Sequence, residues 1–258
     1  MKISYSVVLY NTPIDEVERL YKNIIKTMPN KFEYDIFLIN NSPENTELST
    51  YLEGLECNDS HVRYLQPSKN DGFGAGHNMA IRIAESDYHI LVNPDITIPN
   101  SSAIDKLVGF MNDRNVVLCN PKILNPKMEL QKLVKHAPSI LDMGLRFVGN
   151  SLMKKRQKWF VYDTEYDKVH EAMNLSGSFM VCNTHVLKNV GGFDERYFLY
   201  MEDADLTRTM AEKGATMYYP GAYVIHDWQR QNRKSVRGIL TMLNSMRKYF
   251  DKWGWKLW

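Results

Sequence analysis

The sequence predicts an α/β fold in which a mainly parallel central sheet is flanked by helices and followed by a basic helical tail. Short β-branched and aromatic runs recur through the first half of the chain, and each leads into a segment with helical spacing of its apolar residues. This alternation is typical of right-handed βαβ units and a parallel sheet. The last part of the chain, residues 230–258, is instead rich in Lys and Arg.

The composition is that of an ordinary globular protein. The chain has 258 residues, 44% hydrophobic and 24% charged, which is enough to bury a substantial core. Residues 230–258 carry eight Lys or Arg and one Asp, so this end contributes +7 to a net charge of +2 and the remainder contributes −5. The asymmetry predicts that the tail meets an anionic surface, either membrane lipid or nucleic acid. We therefore expect a domain over 1–229 and a tail over 230–258, packed on the domain or at a membrane surface.

The cysteines and the apolar runs bear on the compartment. Cys57, Cys119 and Cys182 are odd in number and far apart, which favours a reducing environment without disulfides or a zinc site. No run reaches the roughly 18 apolar residues of a transmembrane helix. These features predict a soluble protein of the cytoplasm.

The first half alternates strands with helices in regular order. Turn or capping residues precede the helices, as at Asn11-Thr12-Pro13, Asn41-Ser42-Pro43 and Asn100-Ser101-Ser102. Strands are predicted at 3–10, 34–40, 62–65, 89–92 and 116–119, and helices at 15–26, 46–55, 79–84 and 101–111.

The second half is less regular. Residues 121–173 show no sustained period, which predicts loops and short helices beside the sheet. Further strands are predicted at 175–183, 216–219 and 223–226, a short helix capped by Thr184, a helix from about 202 to 213, and a helical or irregular end at 235–258.

The run 89–92 ends abruptly in Asn93-Pro94-Asp95. Pro94 cannot donate to a sheet ladder, so the strand must stop there and present the Asp95 carboxylate at the edge where α/β proteins bind ligands. One carboxylate suits Mg²⁺ that also holds a substrate phosphate. The alternative is a turn aspartate that caps the next helix.

The glycine-rich stretch 70–78 does not match a known phosphate motif, since it lacks a Gly-Lys-Ser/Thr ending and has His77 where a dinucleotide fingerprint needs Gly or Ala. Its glycines would let the backbone approach a flat or phosphorylated ligand, and the following helix N-terminus would favour an anion. They can equally be turn formers.

Three acids, Glu202, Asp203 and Asp205, follow an aromatic run. A positioned carboxylate there could accept the proton of an attacking sugar hydroxyl, or all three could simply favour the helix N-terminus. His226 ends an apolar strand and could join a carboxylate around Mn²⁺ or Mg²⁺, or be structural. Trp228 could stack on a sugar or pack in the core.

The tail places Trp253, Trp255 and Trp258 beside several lysines, a combination that fits a membrane interface. The alternative is a solvated basic helix packed by one apolar stripe. That stripe would comprise Ile239, Leu240, Leu243 and Met246.

Together these residues resemble the bacterial glycosyltransferases of family 2, inverting nucleotide-sugar transferases with the GT-A fold, and within them the rhamnosyltransferase-like branch. The resemblance covers residues 1 to about 230. It is carried by Asn70 to Asn78 (NDGFGAGHN), Asn93-Pro94-Asp95, Ser176-Gly177-Ser178-Phe179, and Gly191-Gly192-Phe193-Asp194-Glu195 leading through Phe198 to Glu202-Asp203-Ala204-Asp205-Leu206.

The resemblance implies a role for each matching position. Asp203 would be the general base, Asp95 and His226 would hold Mn²⁺ or Mg²⁺, and the acceptor would meet Glu202, Arg208 and Trp228. The nucleotide sugar would be bound by Tyr10, Asn11, Asn40, Asn70, Gly72, Phe73, Gly74, Asn78, Asn93, Asp95, Ser176 and Gly177.

The implied reaction moves a sugar, L-rhamnose from dTDP-L-rhamnose, onto a lipid-linked saccharide in bacterial surface polysaccharide synthesis, at the inner face of the plasma membrane and without a nucleic-acid partner. Two positions depart from the family pattern and bear on the nucleobase contact and on the metal ligands. Asn40 stands where an Asp is common at the end of the second strand, and Asn93 replaces the first acid of Asp-x-Asp. A UDP-sugar such as UDP-galactose is an alternative donor. A sugar-1-phosphate nucleotidyltransferase and a non-catalytic saccharide-binding protein are alternative functions.

Overall fold

The computed structural model describes residues 1–148, 153–227 and 236–258. The strands are β1 (Lys2–Leu9), β2 (Glu33–Asn40), β3 (Val62–Leu65), β4 (Tyr88–Val92), β5 (Ile96–Thr97), β6 (Val116–Leu124), β7 (His170–Glu171), β8 (Phe179–Asn183) and β9 (Ala215–His226). The helices are α1 (Ile14–Thr27), α2 (Thr46–Asn58), α3 (Phe73–Ile83), α4 (Ser101–Arg114), α5 (Ile140–Val148), α6 (Lys154–Phe160), α7 (Thr184–Asn189), α8 (Glu202–Ala211) and α9 (Val236–Trp253).

One sheet organises the described chain, with strand order β3-β2-β1-β4-β8-β6-β9-β5 and β7 paired to β9. The βα units of the first half give parallel pairs, β1 with β2 and β4, and β2 with β3. β6 and β9 are also parallel, whereas β8 runs antiparallel between β4 and β6. Every residue of β4 is buried, as expected for a strand covered by helices on both faces. The predicted α/β class with a mainly parallel sheet and flanking helices is confirmed.

The glycine-rich stretch differs most from its prediction, because α3 begins at Phe73 rather than at 79. Gly72 has φ +108°, and a Cβ there would lie 2.2 Å from the carbonyl oxygen of Phe198. A Cβ on Gly74 would come within 2.7 Å of the Phe193 side chain. The glycines therefore let the first turns of α3 pack closely against neighbouring segments. Only residues 70–72 of the stretch form a loop.

Smaller differences also have local causes. The strand predicted from 175 begins at Phe179, since 175–178 form a loop. The side chain of Asn183 caps α7 by accepting from the N–H of Val186, so the cap is one residue earlier than predicted. The two strands predicted around 216–226 are the single strand β9, which continues through the irregular pairing with β6.

The C-terminal helix α9 packs on α8 and on the segment before it. Tyr249 and Phe250 are buried in a cluster with Tyr197 and Met201. The Ser245 hydroxyl donates to the carbonyl oxygen of Leu199 at 2.8 Å. Within the three described ranges, no helix combines the length and apolar character needed to span a bilayer.

Candidate active site

A short loop after the irregular segment, Ser176–Ser178, gathers three parts of the fold. The N–H of Asn93 donates to the carbonyl oxygen of Ser178 at 2.9 Å. The side-chain amide of Asn120, on β6, donates to the carbonyl oxygen of Ser176 at 3.0 Å. The N–H of Gly177 makes a long contact, 3.5 Å, with Oδ2 of Asp203. The loop thus connects the segment of Asp95 with the first turn of α8, which are far apart in the sequence.

Asp95 and His226 are brought together by strand pairing. β5 follows Asp95 directly and runs antiparallel to β9, with Ile96 opposite His226. The N–H of Asp227 donates to the carbonyl oxygen of Asp95 at 3.0 Å. In consequence, Nε2 of His226 lies 3.3 Å from Oδ2 of Asp95, and both side chains are largely withdrawn from solvent.

Gln131 sets the orientation of the His226 ring. Its amide nitrogen donates to the carbonyl oxygen of His226 at 2.8 Å, which leaves the amide oxygen to face Nδ1 at 3.0 Å. Because an amide oxygen only accepts, Nδ1 carries a proton, and in the neutral ring Nε2 then presents its lone pair toward Asp95. A lone pair facing a carboxylate oxygen is favourable only with a proton or a cation between them, and this tautomer is the one that binds metals through Nε2.

The surroundings of Asp95 favour a cation. Oδ1 of Asp95 and Oδ1 of Asn93 are buried and have no hydrogen-bond partner among the described residues. Burial, and then the negative charge of Asp95, raise the pKa of Glu16, so another carboxyl group lies within its field. Carboxylate, amide and imidazole donors together suit Mn²⁺ or Mg²⁺, each of which takes its remaining ligands from water and substrate phosphates. The described residues contain no group of three or more His, Cys, Asp or Glu able to hold a metal by themselves.

The first turn of α8 presents two acids in different states. Asp203 is half-buried, and its Oδ1 accepts from the N–H of Ala204 at 2.8 Å. Glu202 is 6% exposed, and its Oε2 has no hydrogen-bond partner within the described part of the chain. Burial, and then the charge of Asp203, raise the pKa of Glu202 to about 8. Burial and the neighbouring charge therefore favour the neutral form of Glu202.

The backbone before α8 is strained in a way that directs these acids. Tyr200 and Met201 have φ of 71° and 69°, two consecutive left-handed residues without glycine. Such a conformation costs on the order of 1–3 kcal/mol per residue and tends to occur at functional sites. Here the burial of Met201 against α9 holds the turn in place.

Four of the predicted nucleotide residues lie at the entrance to α3: Asn70, Gly72, Phe73 and Gly74. The Asn41 amide donates to the carbonyl oxygen of Gly72 at 2.9 Å, and the Asn70 side chain accepts from the N–H of Gly72 at 2.9 Å. The N–H of Phe73 donates to the carbonyl oxygen of Phe198, which joins this entrance to the strained turn. A Cβ on Gly177 would lie 3.4 Å from both Phe73 and Asp203. Phe73 and Asp203 thus both lie next to Gly177.

Four other predicted nucleotide residues divide into exposed and engaged. Tyr10 and Asn11 are exposed at the end of β1, where a base could contact them. The side chain of Asn40 is buried, donates to Ser49 and accepts from the N–H of Ser42. Asn78 is likewise buried. Its amide accepts from the N–H of Phe193 and donates to the carbonyl oxygen of Phe193 and to Glu195. The contacts of Asn40 and Asn78 favour a bracing role beneath the pocket.

Of the three predicted acceptor residues, Arg208 faces α9. Its guanidinium donates to the Tyr249 hydroxyl at 3.0 Å and lies 4.2 Å from the centre of the Trp253 ring. It therefore connects the acid-bearing helix with the C-terminal helix, and a contact with an acceptor stays a prediction. Trp228 lies outside the described residues.

Asn120 and Gln131 were not predicted from the sequence. Asn120 interrupts the apolar run of β6 and is fully buried, and its Oδ1 is a further buried oxygen for which the described residues supply no hydrogen bond. A polar side chain in the middle of a buried strand could have identified it. Gln131 lies in the irregular segment, where no pattern in the sequence indicates that it reaches His226.

The sequence model of glycosyl transferase family 2 matches residues 4–189, well over half of the chain. The chain belongs to glycosyltransferase family 2. The family match includes β1, α3, β4 and the Ser176–Ser178 loop, whereas α8 and His226 lie beyond its end.

Curated relatives of this family 2 chain include rhamnosyltransferases. An N-acetylglucosaminyl-diphospho-decaprenol L-rhamnosyltransferase of Mycobacterium tuberculosis is 28% identical over 180 residues, which cover 64% of this chain and 59% of that protein. The chain therefore spans well under two thirds of that relative. Rhamnosyltransferase WbbL of Escherichia coli is 27% identical over 214 residues, 70% of this chain and 79% of WbbL.

Solved structures agree on the fold. The mannosyltransferase PcManGT of Pyrobaculum calidifontis, in complex with GDP-Man and Mn²⁺, has a TM-score of 0.65 at 14% identity and covers 97% of this chain and 63% of its own. Staphylococcus aureus TarS 1–349 has a TM-score of 0.60 at 16% identity, over 97% of this chain and 72% of its own. At such identities the likeness establishes the GT-A fold of this family 2 chain and not its substrates.

Proposed function

We propose that this family 2 protein is a metal-dependent, inverting glycosyltransferase that moves L-rhamnose from dTDP-L-rhamnose to a lipid-linked saccharide in bacterial surface polysaccharide synthesis. One observation carries the catalytic part of this proposal. The Ser176–Ser178 loop is bonded on one side to the segment of Asp95 and contacts Asp203 on the other. The names of the two rhamnosyltransferase relatives support the donor, and the diphospho-decaprenol in one of them supports a lipid-linked acceptor.

Asp203 acts as the general base. It is half-buried next to Gly177, whose N–H makes only a long contact of 3.5 Å with Oδ2, so the carboxylate keeps capacity to accept from a sugar hydroxyl. The carboxylate accepts the hydroxyl proton as the oxygen attacks the anomeric carbon from the face opposite the diphosphate, which inverts that carbon. Glu202, being neutral and buried, adds no second negative charge next to the base and can donate a hydrogen bond.

Asp95 and His226 would hold a divalent cation at the diphosphate end of the donor, and Gln131 holds the imidazole in the tautomer that this requires. A bound Mn²⁺ or Mg²⁺ would neutralise the charge that develops on the departing diphosphate. The entrance to α3, with Asn70 and Gly72, approaches the nucleotide through its backbone. UDP-galactose remains the alternative donor, since Asn40 is engaged within the protein and does not select a base by itself.

The C-terminal helix α9 contacts an anionic membrane surface with the exposed apolar face of its first half, while its second half packs on the domain. Val236, Leu240 and Leu243 share one face of α9 and are 74%, 61% and 45% exposed. Trp255 and Trp258 beyond the helix are exposed as well, and lysines and arginines flank both groups. Apolar side chains on a basic helix are the features that insert into a lipid interface. Arg230 to Ser235, the start of the tail, lie outside the described residues.

Transfer is tested with purified full chain, dTDP-L-rhamnose, Mn²⁺ and a short polyprenyl-diphosphate N-acetylglucosamine acceptor. We expect a rhamnosylated product and free dTDP, and no product in EDTA. UDP-galactose in the same assay separates the two donors. If no nucleotide sugar is turned over, the proposed glycosyltransferase activity is wrong. If only UDP-galactose is turned over, the activity stands and the proposed donor, dTDP-L-rhamnose, is wrong. A second assay sediments the protein with phosphatidylglycerol vesicles, where Leu240→Ser/Leu243→Ser should reduce binding.

A further inference from the structure

A cavity lies between α5 and α6, apart from the Ser176–Ser178 loop. Its volume is about 380 Å³, within the range of ~300–1,000 Å³ usual for small-ligand pockets. Leu145, Phe160 and Val161 give it an apolar wall, and Lys135, Lys154 and Lys158 surround it with positive charge. An anion joined to an apolar chain is the kind of ligand that satisfies both parts of such a lining.

The one acid in the lining does not oppose an anion. Asp142 is buried and receives two hydrogen bonds from Arg156, of 2.6 and 2.7 Å, and one from the Ser139 hydroxyl of 2.7 Å. Its charge is therefore compensated within the protein. Lys158 approaches Asp163 only to 3.8 Å and its side chain is 70% exposed. For Lys154 no ion pair exists with any residue that the structure describes.

Backbone hydrogen bonds connect the segments around the cavity with two other parts of the fold. On one side, the N–H of Lys135 donates to the carbonyl oxygen of Asn174 at 2.9 Å, two residues before Ser176. On the other side, the first N–H groups of α5, at Ile140 and Leu141, donate to the carbonyl oxygens of Lys256 and Leu257, both at 3.0 Å. The segments around the cavity are thus connected both to the residues just before the Ser176–Ser178 loop and to the C-terminal residues next to the exposed tryptophans.

We propose that this cavity binds the diphosphate and the first isoprenoid units of the lipid carrier to which the acceptor saccharide is attached. The inference rests on the proposed function, which supplies a lipid-linked acceptor. The lysines contact the diphosphate as point charges, and the apolar wall contacts the lipid next to it. The saccharide then extends toward Asp203 and the lipid chain toward the membrane-facing end.

Binding can be measured without transfer. Farnesyl diphosphate is titrated into the full chain by calorimetry in EDTA, which removes any metal-dependent diphosphate binding at Asp95 and His226. Inorganic diphosphate and vesicles of phosphatidylglycerol serve as the free-anion and lipid-headgroup probes. We expect farnesyl diphosphate to bind at least about tenfold more tightly than inorganic diphosphate, since ~0.8 kcal/mol is gained for each buried CH₂.

The variant Lys154→Gln/Lys158→Gln removes two exposed charges of the lining, and Lys127→Gln/Lys168→Gln removes two exposed charges outside it. The first should weaken farnesyl diphosphate binding about tenfold or more and raise the KM for the lipid-linked acceptor, and the second should leave both unchanged. Equal binding by both variants and the wild type would overturn the proposal. Equal affinity for inorganic diphosphate would show an adventitious anion site, and a loss confined to phosphatidylglycerol vesicles would assign the lysines to the membrane.

These outcomes are separate from those of the transfer assay. If the protein binds farnesyl diphosphate through these lysines but transfers no sugar, the proposed lipid-binding cavity is supported and the proposed reaction is wrong. If the wild type and the lysine variant rhamnosylate a lipid-linked saccharide with the same KM, the proposed reaction is supported and the proposed lipid-binding cavity is wrong.

Discussion

Asp203 and Asp205 lie two residues apart on α8 and have opposite surroundings. Asp205 is 2% exposed and is bonded by Lys252 at 2.8 Å, by the Trp253 indole at 2.6 Å and, more weakly, by the Tyr197 hydroxyl at 3.4 Å. Among the residues that the structure describes, the Asp203 carboxylate is bonded by the N–H of Ala204 and makes the long contact with Gly177. One carboxylate is saturated by the protein and the other keeps capacity for a ligand.

The difference follows from the helical period. Residues two apart on a helix point to nearly opposite sides, so adjacent acids can serve the core and the cleft at once. Asp205 turns toward α9 and ties it to the domain, whereas Asp203 turns toward the Ser176–Ser178 loop. The pair shows that a buried, fully bonded acid is a sign of structure, and a poorly bonded acid at a strained turn is a sign of function.

The first way to break this comparison is Asp203→Asn. An amide cannot accept the hydroxyl proton, so we expect kcat to fall about 10²–10⁴-fold, the range for loss of a general base, while donor affinity stays the same. Steady-state kinetics and calorimetry with the donor measure the two quantities. Since Asp203 makes few bonds, the unfolding free energy should change by less than about 1 kcal/mol. Near-normal turnover would remove Asp203 from the chemistry.

Asp205→Ala is the matched change on the other side of the helix. It removes the acceptor of the Trp253 indole and the closer of the two carboxylates that Lys252 contacts, the other being Asp194 at 3.5 Å. A buried donor left without its acceptor costs about 1–3 kcal/mol. Urea unfolding should show this loss, together with release of α9. Activity per folded molecule should fall much less than in Asp203→Asn. If the two variants lost stability equally, the division between a structural and a functional acid would be wrong.

Asp95→Ala extends the comparison to the other end of the cleft. Removing the carboxylate that faces Nε2 of His226 should weaken dTDP binding in Mn²⁺ at least about tenfold and leave binding in EDTA unchanged. Calorimetry with and without the metal gives both values. Asp227→Ala, which removes an exposed carboxylate next to His226, is the control and should have little effect. An identical loss in EDTA would mean that Asp95 acts without a cation.

How far the sequence predicts this site depends on how local each feature is. The end of β4 at Val92 and the position of Asp95 after it follow from Pro94 and an apolar run, both visible in a short window. The contact of Asp95 with His226 depends on the pairing of β5 with β9, which no local pattern encodes. The family resemblance supplied that pair, and the structure supplied the geometry.

The glycine-rich stretch shows the opposite limit. Glycines favour a loop when they are read alone, yet here α3 begins among them because Phe193 and Phe198 pack too closely for side chains. Gln131 and the α9 partners of Arg208 were equally unpredictable, since each contact joins segments with no shared period. Tertiary packing determines the contacts of these residues, and no short stretch of the sequence reveals that packing.

Glu202→Gln sharpens the comparison through the pH dependence of stability. In the unfolded chain the Glu202 carboxyl has a pKa near 4.5, and in the folded chain burial raises that pKa to about 8. Between these values folding takes up a proton, so the free energy of unfolding of the wild type falls as the pH rises through this window and levels off above it. Gln keeps the shape of the neutral acid and does not titrate. We therefore expect the Tm of Glu202→Gln to exceed that of the wild type by more at pH 8 than at pH 5, by about 2–4 °C for each kcal/mol. Parallel Tm curves for the two proteins across this range would mean that Glu202 is ionised in the folded state and that α8 carries two charged acids at the cleft.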